Sequence, residues 1–227
     1  MSEGSELLLS VAEELKLPLM QIARQAEQGA PDVKAIRGTA EAAIRLLDNY
    51  ELSLRLQSNP TRLQLEPVSV SSVLYDAGQQ LDAMAKNYGI ELELNVAGRY
   101  GTVMAHRQGL QSALTSLGAA LIETLPALES PQLKLRLASH RSRYGIVAGL
   151  YTDTPQLTNT ALKHGRRLQR QRVSRQPLTT ISHTSGAGIF VADTILQAMS
   201  LRLRASRHHR LYGLGTVLPP NNQIALV

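Results

Sequence analysis

The segment Ser10-Val11-Ala12-Glu13-Glu14-Leu15-Lys16-Leu17-Pro18-Leu19 sets the reading of the whole chain. It follows an apolar start at Leu7, Leu8 and Leu9, and no glycine interrupts what comes after it until Gly29. Apolar residues recur at Leu8, Val11, Leu15, Leu19, Ile22 and Ala26. Steps of three and four place them in one stripe along one side of a helix. From about Glu3 to Gln28 that helix would be roughly 39 Å long at ~1.5 Å per residue, so it needs a partner along its length. Pro18 removes a backbone hydrogen bond from its middle and predicts a kink.

Gly29-Ala30-Pro31 then makes a turn, and Pro31 with Asp32 suits the start of a second helix over about Asp32 to Gln57. Its apolar positions are Val33, Ile36, Ala40, Ala43, Leu47, Tyr50 and Leu54, again in threes and fours. Two long amphipathic helices joined by a short turn predict an antiparallel hairpin. One hairpin cannot cover both stripes completely, whereas a symmetric pair can, as a four-helix bundle. The expectation is a homodimer; the alternative is a hairpin folded back on its own C-terminal part.

The chain of 227 residues is 43% hydrophobic, enough for a sizeable core in one or two domains. No apolar run approaches the ~20 residues that span a bilayer, and the N-terminus has no basic leader. A cytoplasmic chain with no membrane association is expected. Cysteine is absent, which excludes disulfides, thiolate metal sites and a cysteine nucleophile. The six histidines are scattered, with only His208 and His209 adjacent, so no metal site is expected.

Asn59-Pro60 ends the helical pattern. Leu63, Leu65 and Val68 alternate as a short strand, Ser69 to Tyr88 reads as a helix, and Ile90 to Leu94 alternates cleanly. Further strands are read at Gly101 to Ala105, Gln132 to Ser139, Tyr144 to Leu150, Leu201 to Arg207 and Leu211 to Leu218, with helices over Arg107 to Leu125 and Ala187 to Met199. This order predicts helices on one face of a mixed sheet. The fold class is α+β: an N-terminal antiparallel helical hairpin followed by an α/β sandwich. The boundaries are 1–58 for the hairpin, 62–220 for the sandwich and 221–227 for a tail.

The opening segment resembles the H-box of sensor histidine kinases, commonly written H-E-L-(K/R)-T-P-L. Glu14, Leu15, Lys16, Pro18 and Leu19 match; Leu17 replaces the threonine, and Glu13 stands where the phospho-accepting histidine belongs. The first histidine of the chain is His106. The resemblance continues through Leu65-Glu66-Pro67-Val68, the family's usual lead-in to its catalytic and ATP-binding domain of GHKL type. It implies a dimerisation and phosphotransfer hairpin, then that domain, over about Leu7 to Pro219. Kinase-like phosphotransferases with a decayed ATP domain are also similar in size, but they keep the histidine.

The family's nucleotide motifs map onto this sequence unevenly. The helix that carries paired asparagines has Ser116 and Ala120 in their places. Ala120 offers no oxygen to Mg²⁺, which demands oxygen ligands in octahedral geometry, and Glu123 follows one turn on. In D-x-G-x-G, Asp153 keeps the adenine-reading position while Pro155 and Leu157 replace both glycines, filling the space their backbone would leave. Thr184-Ser185-Gly186-Ala187-Gly188-Ile189 resembles G-x-G-x-G-L without its first glycine. Backbone amides at such a helix start can cradle phosphate. The nucleotide-binding candidates are thus Asp153, Gly186 and Gly188. The expected cofactor complement is none, with ATP and Mg²⁺ as the alternative, and no catalytic residue is assigned.

Lys163, Arg166, Arg167, Arg170, Arg172 and Arg175 put six basic residues in thirteen, with no acid, where the family has its ATP lid. Arg202, Arg204, Arg207, His208, His209 and Arg210 form a second basic cluster. Such clusters favour an anionic partner, nucleic acid among them. The favoured reading is a catalytically degenerate, dimeric, histidine-kinase-like scaffold, not an enzyme. It docks a response-regulator receiver domain through the hairpin near Glu13, Glu14, Lys16 and Gln21. The alternatives are a nucleic-acid-associated regulator using residues 163–175 and an ATP-binding kinase with unconventional ligands.

Overall fold

The computed structural model describes residues 12, 15–16, 19–20, 22–27, 32–58, 64–96, 98, 100–124, 134–153 and 187–221. Ala12, Leu15, Lys16, Leu19, Met20 and residues 22–26 are helical, as the opening stripe predicts. Pro18 and the turn expected at Gly29-Ala30-Pro31 lie outside the described residues.

Helix α1 (Val33–Ser58) leads into β1 (Glu66–Val68), α2 (Val70–Asn87), β2 (Glu91–Val96), β3 (Val103–Ala105) and α3 (Arg107–Thr124). Then come β4 (Lys134–Ser142), β5 (Gly145–Thr152), α4 (Ala187–Ala198), β6 (Arg204–His208) and β7 (Leu211–Leu218). Every strand and helix expected after Pro60 is found, with ends shifted by a few residues. Helix α2 shows the local causes. Ser69 caps it by accepting a bond from the Ser72 amide, and Val70, Val73, Leu74, Ala77, Leu81 and Ala85 bury one face in steps of three and four. Gly89, at φ +67°, lets the chain leave the helix and turn into β2.

Strands β1 and β3 pair antiparallel as a small ribbon, and the main sheet has the order β2-β4-β5-β7-β6. β2 and β4 run parallel, which requires a crossover, and β3 with α3 supplies it. The remaining neighbours are antiparallel. One core joins Leu135, Leu137, Leu150 and Leu214 of the sheet with Leu74 and Leu81 of α2, Leu110, Leu117 and Leu121 of α3, and Ile189 and Ile195 of α4. The expected α/β sandwich is present.

Helix α1 packs on α4, and also on α2 and α3. Its apolar residues divide between two faces. Ala43, Asn49, Tyr50, Ser53 and Leu56 are buried, while Val33, Ile44 and Leu47 are 71%, 57% and 43% exposed. At about 100° per residue, Ala43 and Tyr50 lie within about 20° of each other, Leu47 about 40° to one side and Ile44 about 100°. The apolar arc is wider than one contact surface can cover. Strand β7 is held more tightly. A side chain at Gly213 would run into the Leu150 carbonyl and come within 2.6 Å of the Tyr151 ring. Gly213→Ala should therefore cost about 1–3 kcal/mol of stability, read as a lowered denaturation midpoint, because strand backbones cannot yield as a side-chain tip can.

Candidate functional site

Helix α3 carries Ser116 and Ala120, the two positions that the sequence resemblance aligns with paired asparagines. His106 opens it: the Gly109 amide donates to its Nδ1 at 3.0 Å. The Arg107 guanidinium then ties α3 to α2 by donating to Ser72 Oγ and Asp76 Oδ2, each at 2.7 Å. The body of the helix is nearly all small or apolar, and Leu110, Ala113, Leu114, Ser116, Leu117, Gly118, Ala120 and Leu121 are all buried.

Ser116 and Ala120 meet two other elements. Asn49 of α1 donates from Nδ2 to Ser116 Oγ at 3.1 Å, inside the protein. The first turn of α4 lies directly on the same two residues. A Cβ on Gly188 would be 2.6 Å from the Ser116 carbonyl oxygen and 3.0 Å from the Ala120 Cβ. Glycine at 188 is thus what lets α4 approach α3. The residues here do not fit a Mg²⁺-nucleotide: the one hydroxyl is engaged by Asn49, and the neighbouring position is a methyl group. Asp153 is exposed where β5 ends, with Thr152 Oγ1 donating to its Oδ1 at 3.2 Å.

Ser116, Ala120 and Gly188 are therefore brought together, as the motif order implies. Lys16 is helical and exposed. Glu13, Glu14, Gln21, Gly186, Lys163, Arg166, Arg167, Arg170, Arg172 and Arg175 lie outside the described residues. Asn49 was not foreseen. The available signal was an uncharged amide between Leu47 and Tyr50, a polar group that needs a partner if buried.

Glu123, near the end of α3, is largely withdrawn from water. Burial pushes its carboxyl up to about 7. Tyr88, at the C-terminus of α2, is raised by burial first and then by the Glu123 charge. No group of three or more metal-ligating side chains occurs among the described residues, and none of their helices is long and apolar enough to cross a membrane.

The fold is that of the histidine kinase catalytic domain, GHKL type, and the likeness runs along most of the chain. Among solved structures, the Acinetobacter baumannii histidine kinase AdeS superposes with TM-score 0.53 at 15% identity, over 95% of this chain and 98% of that one. Full-length ShkA in complex with AMPPNP gives TM-score 0.55 at 13% identity, over 95% of this chain and 45% of its own. A bacterial phosphotransferase gives 0.51 at 11% identity, over 95% and 97%. No family model matches the sequence, and no curated protein does.

These likenesses correct the expectation that the chain is not an enzyme. The structures that share its architecture are kinases and a phosphotransferase, so the fold is an enzyme's fold. The expectation rested on two residues, Glu13 and Ala120.

Two measurements test the site. Asn49→Ala leaves the buried Ser116 hydroxyl without its donor and should cost about 1–3 kcal/mol in chemical denaturation. Glu123→Gln should change the pH profile. A carboxyl raised in the folded state is neutral in both states below its ordinary value, and its charge weighs on the fold as pH rises toward 7. The variant should match the wild type near pH 4 and exceed it by on the order of 1–3 kcal/mol at pH 8.

Proposed function

We propose that this chain is a two-component signalling protein of the histidine-kinase fold. It dimerises through its N-terminal helices and acts on a response-regulator receiver domain that docks beside Lys16. The observation that carries the reading is the exposed apolar arc on those helices: Leu19 58%, Met20 57%, Val33 71%, Ile44 57% and Leu47 43%. Large apolar side chains at helical spacing, rimmed by charge, mark an association surface. The chain's own sandwich already covers the other side of α1 at Ala43, Asn49 and Tyr50, leaving this arc for a second copy. A symmetric pair of hairpins closes it as a four-helix bundle.

Receiver docking uses the exposed side of that bundle near Glu13, Glu14, Lys16 and Gln21, charged and polar groups in the stretch that keeps the H-box pattern. At position 13 the partner meets a carboxylate in place of an imidazole. The nucleotide side of the proposal follows the misfit at Ser116 and Ala120. Asp153, Gly186 and Gly188 remain as the family's positions, without an asparagine to hold the metal.

Sedimentation should find a dimer at micromolar concentration. Ile44→Asp with Leu47→Asp should give a monomer that still melts cooperatively, since both side chains already face water in the single chain. A wild-type monomer would remove the bundle. Millimolar Mg-ATP should move the melting temperature little, whereas ligand at 100 times its dissociation constant adds about 2.7 kcal/mol. A clear shift would instead assign Asp153, Gly186 and Gly188 to nucleotide. Lys16→Glu should abolish capture of a receiver domain. Tight, salt-sensitive DNA binding that survives it would favour the basic segment at 163–175, since each phosphate neutralised on duplex DNA adds about −0.9 to the log–log salt slope.

A further inference from the structure

The face of the sheet turned away from the helices is built differently from the core. Side chains alternate along a strand, so with Leu150 and Leu214 in the core, Tyr151 and Gly213 lie on the opposite face. Gly149 pairs with Gly215 and Tyr151 with Gly213 across β5 and β7. The missing side chains leave a slot in which the Tyr151 ring lies. A Cβ at Gly213 would be 2.6 Å from its Cδ1, and one at Gly215 would be 3.3 Å from its hydroxyl. Tyr151 is fully buried, and its hydroxyl is 3.4 Å from Ser206 Oγ on β6.

Two imidazoles pack against that ring, and a third packs on one of them. His208 of β6, only 5% exposed, has its centroid 5.4 Å from Tyr151, and His140 of β4 is 6.1 Å away. His140 and His208 stack on each other at 4.8 Å with their planes 16° apart, and His209 meets His208 edge-on at 4.3 Å. The buried Nδ1 of His140 and Nε2 of His208 have no hydrogen-bond partner among the described residues. Nearly parallel rings keep their nitrogen lone pairs in separate planes, so the two do not converge on one metal ion. The charged groups on this face are cationic or already paired. Arg136 of β4 holds Glu93 of β2 at 2.5 Å, Lys134 of β4 pairs with Glu91 and Glu93, and Arg204 of β6 stands opposite Gly215 on the same face. The β6–β7 turn is strained, with non-glycine His209 at φ 44° and Arg210 at φ 67°.

We propose that this face is a proton-operated latch: His140 and His208, packed as neutral rings on Tyr151, hold the edge strand β6 and the β6–β7 turn over β4 and β5, and acidification releases them. Neutral stacked rings attract through their packing, whereas two imidazolium ions in the same place repel each other, His209 and Arg136. Burial first, then the charges of His140, His209 and Arg136, pushes His208 down to about 4. Burial first, and then His209, also lowers His140. The sign follows. A histidine lowered in the folded state leaves stability unchanged above its ordinary value near 6.5. As pH falls from there, the unfolded chain takes up protons first and the fold loses stability until the folded value is reached. The latch is closed at neutral pH and weakens between about 6.5 and 4. The strained turn favours release once the rings let go.

The test follows the histidine ring protons of the whole chain by NMR from pH 8 to 4, together with hydrogen exchange of residues 204–218. His208 should titrate more than one pH unit below the ordinary histidine value. The hairpin amides should exchange faster as pH falls through 6, after correction for intrinsic rates, while those of α3 keep their protection. His140→Phe with His208→Phe should flatten the wild-type loss of melting temperature between pH 6.5 and 4.5. Titration of His208 near 6.5, or equal acid losses in wild type and variant, would overturn the proposal. If the double variant does not fold, the wild-type titration and exchange decide alone.

Discussion

Everything in the sandwich is arranged around a helix that has almost no surface. Helix α3 is buried from Ala113 to Ile122, with α2, α4 and the sheet around it and α1 reaching it at Ser116. A helix covered from so many directions must present small side chains where its neighbours approach closely, and α3 does so at Ser116, Gly118, Ala119 and Ala120. A Cβ on Gly118 would lie 3.2 Å from Leu150 of the sheet and against the Leu81 side chain of α2. Gly188 makes the matching concession on α4. Enlarging any of these positions pushes apart two elements at once.

That constraint bears on the chemistry. Ser116 and Ala120, which the sequence resemblance aligns with a pair of asparagines, are positions where α4 packs closely on α3. Ser116 keeps a polar atom there, and the atom is used to hold α1. Since a buried polar group costs far more unpaired than its bond contributes, the Asn49–Ser116 contact couples the N-terminal helices to the sandwich more firmly than apolar packing alone would.

The two faces of the sheet show how one set of strands serves two environments. Toward the helices the strands bring Leu135, Leu137, Leu150 and Leu214. On the other side they bring glycines, Tyr151, His140 and His208, a surface whose packing depends on protonation state. Alternation at a period of two makes this division unavoidable, because a slip of one residue would exchange the faces.

Most of the architecture was legible in the sequence. Periods of three to four and of two, read against Pro60, Gly89 and the turn residues, located α2 to α4 and β1 to β7 with ends off by a few residues. The order of H-box, paired-asparagine helix and glycine-containing helix start identified the fold. Residue identity put Glu13 and Ala120 where the resemblance leads one to expect an imidazole and an asparagine. Tertiary structure alone decided which side of α1 meets the sandwich, because its apolar arc is wider than either neighbour and periodicity cannot choose between them. It alone joined Asn49 to Ser116, 67 residues apart, and gathered His140, Tyr151 and His208 from three strands. Contacts between residues so distant in the chain leave no local pattern. They exist only because strand register and helix packing place those side chains on the same few square ångströms.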